Sequence, residues 1–63
     1  MKNPPVQFTF RIGQDVTIKA LELTGRVFAR CDRGNGLHDY RVIWWADSKR
    51  NDEWLYENEL RVS

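Results

Sequence analysis

Apolar side chains fall at every second position along most of this chain, the period of strands rather than helices. Val6, Phe8, Phe10 and Ile12 alternate with Gln7, Thr9 and Arg11. Gly13 interrupts the run, because it can take the positive φ that a tight turn requires, and Val16 and Ile18 then resume it. "LELTG" reads as a connector and "GRVFARC" as the next strand, with Val27, Ala29 and Cys31 on one side and Arg26, Phe28 and Arg30 on the other. "DRGNGLHD" holds the hairpin dipeptide Asn35-Gly36 inside what reads as a loop of more than two residues. "YRVIWW" is a third strong strand, "DSKRND" a polar turn, and "EWLY" a short strand. "ENEL" fits one turn of 3-10 helix, and "LRV" closes the chain as a strand.

These elements predict an all-β fold, a five-stranded barrel with one 3-10 turn before the last strand. Closure hides strand edges that a lone open sheet of this size would expose. Pro4-Pro5 mark residues 1–7 as an irregular tail, since proline fixes φ and removes a donor, which leaves residues 8–63 as a single domain. The expected core is Phe10, Ile12, Val16, Ile18, Val27, Ala29, Tyr40, Val42, Trp44, Leu55, Leu60 and Val62. The strand over residues 40–45 raises a question. Tyr40, Val42 and Trp44 point one way and Ile43 and Trp45 the other, so both of its sides are apolar.

Composition narrows the function classes. At 63 residues folding buries only about 60% of the extended chain's surface, which argues against a conventional enzyme with a deep cleft. Ten Lys and Arg against nine Asp and Glu give a net charge of +1, too balanced for the broad basic footprint of a non-specific nucleic-acid binder. Arg26, Arg30, Arg33 and Arg41 nonetheless cluster in the middle of the chain. Cys31 is the only cysteine, which excludes an internal disulfide and a cysteine metal cage; it reads as a small buried core residue. "MKNPPVQFTF" lacks the apolar run of a signal peptide, and no stretch approaches the ~18 apolar residues of a membrane span. The expectation is a cytoplasmic protein with no membrane contact.

Gly13 to Val16, Gly25 to Val27, Tyr40 to Trp44, and Trp54 to Leu60 form a pattern that resembles bacterial or phage-type SH3-like barrels, including Tudor-like and KOW-like modules. The resemblance covers roughly residues 10–62. It implies the fold and leaves the task open, because this barrel hosts many. The plasmid-borne type II dihydrofolate reductases share the architecture, with a pore strand reading Val-Gln-Ile-Tyr. The matching residues here are Glu53, Trp54, Leu55 and Tyr56, so Trp54 replaces the substrate-handling Gln and four copies would occlude the pore.

No catalytic constellation stands out. His38 reads as a surface residue whose neighbour Asp39 points the opposite way along the strand, and the carboxylates of Asp52, Glu53, Glu57 and Glu59 read as a solvated rim. "RGNG" lacks the following helix that a phosphate loop needs. No cofactor, metal or small-molecule substrate is expected. The candidate partner-binding residues are Arg26, Phe28, Arg30, Arg41, Ile43 and Trp45, an aromatic and arginine face of the kind enriched at interface centres. Trp54 and Tyr56 are a secondary candidate, a groove for peptide ligands in resembling SH3-type modules, although "ALELTG" is too short to supply the usual acidic loop. Three readings of the apolar second side stand open. The N-terminal segment folds back over it; a protein partner or second copy covers it; or it binds nucleic acid, with Arg26, Arg30 and Arg41 on phosphates and the rings stacking on bases.

Overall fold

A computed structural model of the chain describes residues 8–63, so the expected tail over residues 1–7 lies outside the described residues. Period-two alternation becomes five antiparallel strands: β1 (Asp15–Ile18), β2 (Leu23–Gly34), β3 (Leu37–Ala46), β4 (Lys49–Tyr56) and β5 (Leu60–Val62). One 3-10 turn, Glu57–Glu59, leads into β5, as the sequence predicts. Strands β1 to β4 follow one another as a meander, and β5 returns to pair with β1, giving the order β4-β3-β2-β1-β5. The return curls the sheet into a small barrel-like form, while β4 and β5 stay at the two ends of the ladder. No described helix is long and apolar enough to cross a membrane.

Two of the three hairpins turn more tightly than the sequence reading expects. Asn35 and Gly36 take φ of 54° and 74° between β2 and β3. Asp47 and Ser48 take 52° and 62° between β3 and β4. Positive φ at both central residues is the two-residue turn whose twist matches the flanking strands. The first loop is therefore two residues rather than longer, and residues 49–52, read as part of a polar turn, belong to β4.

The buried core consists of Phe10, Val16, Ile18, Val27, Tyr40, Val42, Trp44 and Leu60. Leu55, expected there, is only partly buried against it. Ile12 and Val62 are corrections, at 58% and 68% exposed. Ile12 falls in a turn beside Gly13, and Val62 ends the edge strand β5. The run over residues 6–12 alternates like a strand, yet its described part forms no ladder. The N–H groups of Thr9 and Phe10 donate instead to the Tyr40 hydroxyl, at 3.1 and 3.4 Å.

A β-bulge accounts for the remaining corrections. Val27 faces Val42, but the next pair is Ala29 with Arg41, so Phe28 is the extra residue. An extra residue reverses the alternation of everything beyond it relative to the partner strand. Arg30 thereby moves to the inner side opposite Tyr40, while Ala29 and Cys31 move to the outer side opposite Arg41 and Asp39. Ala29 is half-buried and Cys31 is exposed, so neither belongs to the core.

Candidate protein-contact face

Strand register sets which side chains share the outer side of β2, β3 and β4, because residues directly opposite each other point the same way. Arg26 opposes Ile43, Ile43 opposes Asp52, Trp45 opposes Arg50, and Arg41 opposes Trp54. Asp39 opposes Tyr56 in the last row. Phe28 sits beside these rows at the bulge, with the Arg41 guanidinium 5.8 Å from its ring centre. The same guanidinium lies 5.9 Å from the Trp54 ring, so Arg41 bridges two aromatics. Trp54 and Tyr56, treated from sequence as a separate groove, are thus continuous with Phe28, Ile43 and Trp45 on one face.

The face is open. Trp45 is 66% exposed, Tyr56 56%, Trp54 47% and Phe28 40%, while Ile43 is half-buried. Two shallow depressions lie along the face. One is bounded by Arg33, Asp39, Arg41, Trp54 and Tyr56, the other by Asp15, Arg26, Ile43 and Trp45.

Cations and anions alternate across it. Arg26 meets Asp15 at 3.0 Å, Arg33 meets Asp39 at 3.6 Å, and Arg41 donates to Asp52 through both Nε and Nη2. The Tyr56 hydroxyl, and after it Asp39, hold the Arg33 pKa above its ordinary value. Arg26 and Arg41 therefore stand on the face, as expected, with carboxylates beside them. Arg30 does not. Its guanidinium lies 4.3 Å from the Phe8 ring centre on the inner side and donates to the Phe10 carbonyl at 3.3 Å. The described part of the N-terminal segment packs there too, with Phe10 in the core and Phe8 against it. Residues 4–7, which complete the fold-back reading, lie outside the described residues.

A second cluster, at the end of the core, went unseen in the sequence. His38, expected at the surface, is half-buried, its ring tilted against that of Phe8 with centres 4.6 Å apart, Nδ1 3.5 Å from Glu57 and Nε2 3.8 Å from Asp32. Asp39 points to the other side, as expected. The Tyr40 hydroxyl donates to Glu57 Oε1 at 2.6 Å while accepting from Thr9 and Phe10. That bond holds the Glu57 pKa below its ordinary value; burial opposes it, and the Thr9 and His38 side chains reinforce it. Burial, then the bond to Glu57, pushes Tyr40 up. One hydroxyl so ties the N-terminal segment, β3 and the 3-10 turn together, an arrangement that holds the fold. The only sequence signal was a tyrosine at an inward position, which needs a partner for its O–H when buried. No family model, curated protein or solved structure matches the chain.

Proposed function

We propose that the chain is a small, non-catalytic interaction module, akin to SH3-like barrels of bacterial or phage type, that works in the cytoplasm and binds a protein partner through the outer face of β2, β3 and β4. The observation that carries this reading is the gathering of exposed rings on that one face: Trp45, Trp54, Tyr56 and Phe28, with Arg41 between Phe28 and Trp54. A contiguous apolar patch on a soluble chain marks a contact site, and aromatics with arginine supply most of the binding energy where they anchor. The reading requires no cofactor, metal or small-molecule substrate.

Charge favours a protein over a nucleic acid as the partner. Phosphate binding draws on cations that release counterions, and Arg26, Arg33 and Arg41 each already have a carboxylate within ion-pair distance. Arg30 points to the opposite side. A face carrying both signs suits a protein surface of mixed charge better than a polyanion. Titration of labelled DNA and RNA at two salt concentrations tests this directly. The proposal expects no steeply salt-dependent binding; binding that falls with salt and weakens again on Arg41→Ala would replace it with the nucleic-acid reading.

A further inference from the structure

We infer that the open edge of β4 pairs with the β4 of a second copy, antiparallel and centred on Asn51. β4 ends the ladder, so among the described residues only its β3 side is paired. The Asp47-Ser48 turn closes with Ala46 opposite Lys49, and the turn's own hydrogen bond aims the Lys49 N–H at β3. Antiparallel alternation then turns the backbone groups of Lys49, Asn51 and Glu53 toward β3 and those of Arg50, Asp52 and Trp54 toward the open edge. Tyr56 has the parity of the second set. Its N–H donates to the Glu59 side chain at 2.7 Å, as an edge-facing group would.

The side chains along this edge read Lys49, Arg50, Asn51, Asp52, Glu53, two cations and two anions about a neutral centre. Such an order is complementary to itself when one copy runs against the other. A two-fold axis through Asn51 sets Lys49 opposite Glu53 of the second copy and Arg50 opposite Asp52 of the second copy, whose Oδ2 is left for it while Oδ1 accepts from Arg41, and each pair occurs twice by symmetry. The same register opposes edge-facing residues with edge-facing residues, so Arg50 and Asp52 can exchange both of their backbone bonds. A slide by one permitted step either way puts Arg50 on Arg50 or Asp52 on Asp52 at the axis, and like charges directly opposite repel. Charge thus selects one register. Charged edges usually keep strands apart; this one repels mismatched edges and accepts its own copy. β5, the other edge, is three residues long and offers little ladder.

Arg50, Asp52 and Trp54 project to the outer side, so the pairing would extend two aromatic faces into one. It does not rest on that face being a contact surface, since it uses only the backbone edge and the charges of residues 49–53. The test is sedimentation velocity over a concentration series, with hydrogen exchange at the same concentrations. Lys49 and Glu53 are exposed, so their charges can be reversed without disturbing the core. The wild-type chain is expected to dimerise, with the Arg50 and Asp52 amides gaining protection as it does. Lys49→Glu or Glu53→Lys alone should weaken the dimer by about tenfold, from two cross-strand pairs made repulsive, and the double reversal should restore it. A chain that stays monomeric up to concentrations on the order of 1 mM overturns the inference. So does a dimer indifferent to the single reversals, one not rescued by the double, or one that leaves those amides unprotected. A monomeric chain would leave the outer-face reading intact, because that reading is tested by capture of a partner.

Discussion

Tyr40 joins three segments through one oxygen. It is fully buried, donates to Glu57 and accepts from the amides of Thr9 and Phe10. Tyr40→Phe keeps the ring and removes the hydroxyl, leaving a carboxylate and two amides short of a partner. Urea unfolding should register a loss of about 2 kcal/mol, within the range for a hydrogen bond to a charged group. The same bond predicts a pH dependence. Glu57 has a folded pKa below its ordinary 4.5, so the unfolded chain takes up the proton first as the solution is acidified. Its stabilising contribution is complete above that ordinary value and is lost as pH falls through the depressed folded value. Tyr40, pushed above its ordinary 10.0, contributes below that value and loses the contribution as pH rises through the folded one. Unfolding measured as a function of pH should show the acid-side slope in the wild type and a shallower one in Tyr40→Phe.

Within the elements, strand alternation carried most of the fold. Val16 with Ile18, Val27, and Tyr40 with Val42 and Trp44 could be assigned inward from period two alone, and each is buried. The 3-10 turn and the last strand were legible from "ENELRV". Illegible was any event in which the backbone departs from its period. The bulge at Phe28 leaves no mark in the hydrophobic pattern, because Ala29 and Cys31 are small enough to suit either side. It moved Arg30 away from the candidate face. Asp47-Ser48 lacks the glycine that announces a two-residue turn, so residues 49–52 are not legible as the start of β4, nor is the register that sets Trp54 beside Arg41. The candidate face was therefore recognised in composition and missed in extent. Gly25 illustrates a further constraint that only packing discloses. A Cβ there would stand 2.5 Å from Val42 Cγ1 and 2.8 Å from the Ile43 carbonyl oxygen. Backbone at that distance cannot yield cheaply, so Gly25→Ala should cost about 2 kcal/mol or more in urea unfolding.

At the scale of the whole molecule, the described residues close one core, and none of them covers the outer face of β2, β3 and β4. Exposed rings collect instead on that outer face, two of them, Phe28 and Trp54, beside an arginine held by Asp52. The most direct test is affinity capture with the intact chain as bait, run in parallel with Trp45→Ser/Trp54→Ser and with a separately tagged copy of the chain present. Both positions are on the surface, so the variant should still fold, losing on the order of 1 kcal/mol with the Arg41–Trp54 contact. The proposal predicts a protein retained by the wild-type face and lost from the folded variant. Equal retention by both baits, no retention by either, or a variant that no longer folds would contradict it.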